Sequence, residues 1–529
     1  MSNTVGQPYR KHDPSQPFDT LVIGSGIGGL ATAALLAKHG GQKVLVLEKH
    51  YAAGGFTHVF KRKGYEWDVG VHYIGRVEKP GSTTRKMFDH LTDGRLKWAP
   101  MGEVYDRIVI GDRTYDYVAG ADAFAARMKE YFPDEAEAID RYLALIRKVP
   151  KWSSLFFMEK AAPDLVAKLF GSLLRLPFQR WAKRTTEDVL SGLTSNRELI
   201  AVLTGQFGDY GLPPRQSSFA MHAMLARHYL YGGCYPVGGS SRIAAEIAPL
   251  IEEAGGKILY YADVKEILVI GELAVGVRMA DGTELTAQRV VSSAGIANTY
   301  LRLLPRPVAE RHSLVPQVRK LQASASHLCL YIGLQGTAEE LELPRHNFWI
   351  YPGPDHDATV EAYLEDPDAP FPVVYISFPS AKDPDFENRF PGRSTIELVT
   401  LAPFERYMKW YDSDWGKRGE DYDALKEKLS QRLLEVLYSQ LPHLRGKIDY
   451  YELSTPLSTR HFSNYERGEI YGLEHTPDRF KQRFLRPKTP IENLYLTGQD
   501  VISCGVAGAM AAGFLTASVI LKRNLFKVV

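Results

Sequence analysis

Gly24-Ser25-Gly26-Ile27-Gly28-Gly29 constrains the fold more than any other stretch, because it lies between a short β-rich run, Phe18 to Ile23, and a helical pattern, Leu30 to Lys38. The apolar strand Lys43 to Leu47 follows and ends at Glu48, which completes a βαβ unit. In that setting the G-x-G-x-x-G spacing has a mechanical meaning. Gly24 permits the tight turn, Gly26 lets backbone approach a pyrophosphate, and Gly29 lets the helix pack closely on the sheet, with the helix N-terminus facing the negative charge. Ser25, Ile27 and Gly28 complete the loop, and Glu48 is spaced to accept hydrogen bonds from both ribose hydroxyls. An ordinary tight turn would explain the glycines, but not strand, helix and acid together.

Two further features favour FAD over NAD. The segment Lys49 to His58 carries Gly54-Gly55, then Phe56 and Thr57, a second close-approach loop where a longer dinucleotide continues past its pyrophosphate. Near the other end, Leu494 to Asp500 places an acid just after a strand and Gly498, followed by the small-residue turn Gly505-Val506-Ala507-Gly508. Asp500 is suited to ribityl hydroxyls, and the helix that follows can stabilise negative charge at the pyrimidine edge of a reduced flavin. The expected fold class is α/β, an FAD-binding Rossmann-like domain of the two-dinucleotide-binding-domain type joined to a mixed α+β substrate domain. The cofactor domain is expected to be discontinuous (16–80, 235–300 and 450–529), with 81–234 and 301–449 forming the substrate domain. A hairpin turn is expected at Asp281-Gly282.

A chain of 529 residues exceeds what one hydrophobic core supports, which fits two joined domains. Lys+Arg 64 against Asp+Glu 62 leaves no global field for nucleic acid. The three cysteines are far apart and suit a reducing compartment, with no metal-ligand cluster and no metal expected. Met1 to Pro17 reads as a loose polar arm without the apolar core of a signal peptide. The uncharged run Val501 to Leu521 is long enough to span a bilayer, but its Gly and Ala content argues for a helix whose backbone touches a ligand. Leu165 to Arg184 mixes Leu169, Phe170, Leu173, Leu174, Leu176, Phe178 and Trp181 with Lys168, Arg175, Arg180, Lys183 and Arg184, a composition for an interfacial helix or a pair of helices broken near Pro177. A basic helix covering the substrate domain is the plainer reading of the same residues. No Ser-His-Asp spacing and no second G-x-G-x-x-G is present, so hydrolysis and a dedicated NAD(P)H domain lack support.

With these motifs in place, the chain resembles the retinol saturase branch of the phytoene desaturase and carotenoid isomerase superfamily over nearly its whole length. The resemblance rests on Glu48-Lys49-His50, Ala53-Gly54-Gly55, Asp68 to Gly75, Tyr235 to Gly239, Phe378 to Pro384, Thr455-Pro456-Leu457, Gly468 to Gly472 and Leu496 to Asp500. It implies tightly bound FAD and the saturation, desaturation or isomerisation of a carbon–carbon double bond in an apolar polyene or isoprenoid. It also places Val264 near the adenine, and Ser293 and Gly295 near the dinucleotide. NAD(P)H, a quinone, oxygen or a redox protein would be the electron partner. The arm lacks the hydrophobic leader of animal retinol saturases, which points to a cytoplasmic enzyme, soluble or peripheral at a membrane.

Such chemistry needs a proton route beside the flavin. His72 and Tyr73 are the leading relay candidates, with Tyr235 and His58 behind them, although a histidine beside a cofactor also serves as a structural hydrogen-bonding group. Lys382 and Asp383 are expected to pair as a structural turn. An amine oxidase and a non-catalytic flavin- or lipid-binding protein are the other readings of this fold.

Overall fold

The computed structural model describes residues 5–529. Six strands form an all-parallel sheet: β1 (Gln7–Pro8), β2 (Thr20–Ile23), β3 (Val44–Leu47), β4 (Lys257–Tyr260), β5 (Arg289–Ser292) and β6 (Leu494–Leu496), in spatial order β1-β4-β3-β2-β5-β6. Every residue of β2 and β3 is buried, as expected of a parallel sheet covered on both faces. Helix α1 (Ile27–Gly40) runs from the glycine loop and stops at Gly41, whose φ of 60° permits the left-handed cap.

At β1 the chain departs from the loose arm expected for Met1 to Pro17. Gln7 and Pro8 pair in parallel with Leu259 and Tyr260, which makes this segment the edge of the sheet, a position where a proline's missing N–H is tolerated. Residues 1–4 lie outside the described residues. The Asp281-Gly282 turn lies between the strands Leu273–Met279 and Glu284–Thr286, with Gly282 at φ 89°.

A second sheet of seven strands carries, among others, Val104–Ile110, Ser326–Gln335, Asn347–Tyr351, Val374–Ser377 and Arg393–Ala402. It is antiparallel except where Asn347–Tyr351 runs parallel to Val104–Ile110. Helices α2 (Ala136–Glu159) and α3 (Asp164–Ala182) pack on one another at its flank. Of the two forms expected, a single helix or a pair broken near Pro177, the structure has the single helix: α3 continues through Pro177. Phe178, at the next position, is fully buried against Phe156 and Phe480, and this packing holds the turn together despite the missing backbone donor.

The apolar run near the C-terminus forms α4 (Gly505–Ile520), and no helix among the described residues is long and apolar enough to cross a membrane. Its small residues serve packing as well as access: a Cβ on Gly513 would lie 2.6 Å from Ala31 Cβ and 3.0 Å from the Gly28 carbonyl oxygen. Helices α1 and α4 therefore meet backbone to backbone.

Candidate active site

One cavity of about 950 Å³ runs between the two sheets, and its wall comes from both ends of the chain. At its dinucleotide end lie Gly24, Gly26, Ile27 and Gly28, the strand-end acid Glu48 with Lys49, and the loop Gly54, Gly55, Phe56, Thr57 and His58. Val264, Ser293, Gly295, Gly498, Asp500, Val506, Ala507 and Gly508 line it too. Ser25 and Gly29 do not. Ser25 supports Glu48 from behind, donating from its backbone N–H (2.8 Å) and its Oγ (2.6 Å) to Oε2, while Gly29 lies against the Gly24 carbonyl, where a Cβ would approach to 2.2 Å.

The glycines divide by what surrounds them. A Cβ on Gly28 would fall 2.6 Å from Gly498 Cα, and one on Gly55 would fall 2.9 Å from Gly26 Cα, so both are excluded by protein packing. A Cβ on Gly26 would meet no protein atom within 4 Å. Gly26 is the N-cap of α1 and faces open cavity, a cradle that a side chain would fill and a pyrophosphate can use. The first turn of α4 reaches the same cavity, so two helix N-termini converge there. These residues fit a bound FAD.

Both acids are already engaged. Glu48 Oε1 accepts from His50 N–H at 2.8 Å and keeps a second acceptor position for a ribose hydroxyl, whereas Oε2 takes both Ser25 bonds. Asp500 accepts from Ile296 N–H (2.8 Å) and Leu473 N–H (2.9 Å), with Arg479 Nη1 at 3.8 Å. The ribityl role expected for Asp500 is thus joined by a structural one: it ties three distant segments into the cavity wall.

Beyond the glycine groove the cavity wall becomes apolar and aromatic, with Phe157, Met221, Leu225, Trp349 and Tyr375. His72 and Tyr73 line this part. The Tyr73 hydroxyl donates toward Asp106 Oδ2 at 2.9 Å and lies 3.2 Å from Asp209 Oδ2, and its ring stacks on Tyr229 with centroids 4.2 Å apart. Burial, followed by those two carboxylates, drives the Tyr73 phenol well above its ordinary value. His72 Nδ1 lies 2.8 Å from Glu397 Oε2, and burial, then Lys382, pushes the imidazole down to about 4.

Two expectations are corrected. Tyr235 is outside the cavity lining; it is buried and donates its hydroxyl to Asp68, whose other oxygen accepts from Ser240 N–H at 3.2 Å. Lys382 and Asp383 do not pair. Asp383 bonds Arg389 at 2.6 Å, whereas Lys382 turns inward to Asn347 Oδ1, to Ser377 Oγ at 2.7 Å and to the His72 carbonyl at 3.1 Å. Burial lowers this lysine to about 7 against the opposing pull of Glu397, Asp106 and Asp68.

Glu397, Asp106, Asp209 and His327 escaped sequence reasoning. Glu397 and Asp106 do leave a signal: each is an acid within an apolar strand, in Thr395 to Leu401 and in Val104 to Ile110.

Residues 27–521 match the family described as flavin-containing amine oxidoreductases. The chain belongs to that family. The chain is 40% identical over 531 residues to the all-trans-retinol 13,14-reductase of Danio rerio, covering 96% of this chain and 87% of that protein. It is 25% identical to prolycopene isomerase 1 of an Oncidium hybrid cultivar, over 98% of this chain and 87% of that one. A solved putrescine oxidase bound to putrescine shares the fold, with a TM-score of 0.62 at 16% identity, covering 96% of this chain and 100% of the other. The protein is an FAD-dependent oxidoreductase.

Proposed function

We propose that this enzyme adds two hydrogens across a carbon–carbon double bond of an apolar polyene or isoprenoid, as the name of its 40%-identical relative suggests. The observation that carries the reading is the joint architecture of the cavity: a glycine-lined dinucleotide groove opening into a chamber walled largely by Phe157, Met221, Leu225, Trp349 and Tyr375, with the ionisable groups His72 and Tyr73 at one wall. Reduced FAD, when bound, supplies a hydride equivalent. Gly24 to Gly28, Glu48, Gly54 to His58, Val264, Ser293, Gly295, Gly498, Asp500 and Val506 to Gly508 would hold it, within a unit built from 16–80, 235–300 and 450–529. The aromatic chamber holds the substrate and excludes water, and His72 or Tyr73 delivers the proton. Reducing equivalents come from NAD(P)H, a quinol or a redox protein; run backwards, the reaction would pass them to a quinone or oxygen.

A peripheral membrane site belongs to the same proposal. On α3, Leu165, Leu169, Leu173 and Leu176 are 59–69% exposed, beside exposed Phe170 and, on α2, Leu155 and Met158. Lys168, Arg180, Lys183 and Arg184 are exposed around this stripe, a pattern suited to an anionic bilayer surface. Met158 and Ser154 also line the cavity, so a lipid-dissolved substrate would pass from the bilayer beside α2.

The test is anaerobic reduction of the purified holoenzyme followed by a panel of polyenes that includes all-trans-retinol. Recovery of oxidised-flavin absorbance with a product two hydrogens heavier is expected. An unchanged mass with altered retention overturns reduction in favour of isomerisation, the reading that the prolycopene isomerase relative supports; no product from any polyene overturns both.

A further inference from the structure

Glu397 sits in the middle of the strand Arg393–Ala402, paired with Tyr331 on one side and Ser377 on the other, and is fully buried. Its Oε1 accepts the Asp68 backbone N–H at 2.8 Å. Oε2 has no well-directed hydrogen bond, and neither has the buried Nδ1 of His72, yet these two atoms are 2.8 Å apart. Two buried polar atoms at that distance satisfy each other only when a proton lies between them. The His72 ring is partly exposed and lines the cavity, so its other nitrogen is the one left to a substrate. Lys382 is held by Asn347, Ser377 and the His72 carbonyl, so an ammonium lies beside the pair below its lowered value of about 7.

We propose, resting on the reduction reading above, that Glu397 is the proton-supplying positioning residue of the reaction and His72 the catalytic carrier. In the resting arrangement the Glu397 carboxyl donates to His72 Nδ1, which fixes the tautomer with its proton on Nε2. During reduction one substrate carbon receives the hydride. Its neighbour takes the Nε2 proton, and the Glu397 proton passes to Nδ1. The products are the saturated bond, a Glu397 carboxylate and an imidazole that is still neutral, with the proton now on Nδ1. The new carboxylate is stabilised by the Asp68 N–H and, where Lys382 is protonated, by its ammonium. Solvent restores the proton before the next turnover.

The groups facing Glu397 are Asp68 and Tyr235 on one side, Cys329 and Tyr331 from the neighbouring strand, and Lys382 and His72. His327 faces His72. Burial raises Glu397 to about 8, although Lys382 and the Asp68 N–H act to lower it, and burial with Glu397 as neighbour raises Asp68 to about 7. The protonated donor is therefore lost as pH rises through the folded value.

The experiment is single-turnover oxidation of the reduced holoenzyme by a polyene that the wild type reduces, between pH 6 and 9.5. The wild-type rate is expected to fall above about pH 8. Glu397→Gln should retain flavin and its thermal midpoint but lose on the order of 100-fold in rate, together with the alkaline limb. Asp68→Asn should move that limb to lower pH without removing it, because a neighbouring carboxylate is gone. A wild-type rate that is flat or rising through the alkaline range overturns the relay without any variant. So does a Glu397→Gln enzyme that keeps both rate and limb. Failure of the wild type to transfer hydrogen to any polyene overturns the reduction reading itself and is recognised before a variant is made.

Discussion

Gly26 and Gly28 are two residues apart and would respond to the same substitution in opposite ways. A methyl on Gly26 meets no protein atom, so Gly26→Ala should fold with an unchanged apoprotein melting temperature while its affinity for FAD falls about tenfold or more, measured by flavin titration. Equal affinities in variant and wild type would show that the pyrophosphate lies elsewhere. At Gly28 the same methyl collides with the Gly498 backbone, which makes that position structural first. Spacing marked this loop because the Gly24 turn and the close packing of Gly29 on the Gly24 carbonyl are local, whereas the contact of Gly28 with Gly498 is not. The pairing of His72 with Glu397 had no such signature: the partners are far apart in sequence, and nothing in the local pattern says that a strand acid will face a loop histidine from the other end of the chain. Lys382 shows the opposite error, since adjacency to Asp383 suggested a pair that the backbone directs apart.

Helix α3 carries two faces that composition alone merged. Its outer stripe, Leu165, Leu169, Leu173 and Leu176, is open to solvent, whereas Phe178 is fully buried and Trp181 is partly so. Arg175 is buried as well, donating to the Phe480 carbonyl at 2.8 Å, and so belongs to the inner face and not to the basic rim. Replacing Leu169, Leu173 and Leu176 with serine should leave the melting temperature nearly unchanged but abolish flotation with liposomes rich in anionic lipid; flotation equal to that of the wild type would assign the stripe to something other than a bilayer. The apolar-basic mixture of 165–184 was legible, but a run that is hydrophobic on several sides cannot be phased until the partner surface, here Phe156 and Phe480, is known. Whether the helix breaks at Pro177 was open for the same reason: packing by Phe178 outweighs the bond lost there.

Across the whole molecule the parallel sheet was readable where βαβ spacing and the terminal strand announced it. The seven-stranded sheet was only sketched as mixed strands, because its order depends on long-range pairing that no turn encodes. The two sheets share one cavity wall, so FAD should stabilise them together. Free FAD at 100 times its Kd is expected to add about 2.7 kcal/mol. Flavin release, followed by its fluorescence, should coincide with loss of the tryptophan signal in a variant that keeps only Trp67 and Trp349, which lie against or within the second sheet. Two separated midpoints would mean that the sheets unfold independently.

The backbone contact between α1 and α4 also has a meaning for biosynthesis. The glycine face of α1 leaves the ribosome long before Gly498, β6 and α4, which cover it and complete the cavity wall. At roughly 5–20 residues per second the nascent helix waits on the order of a minute with that seam unsealed. A ribosome that stalls before β6 therefore leaves a chain with the glycine fingerprint but without the part of the cavity wall that Gly498 and Asp500 supply.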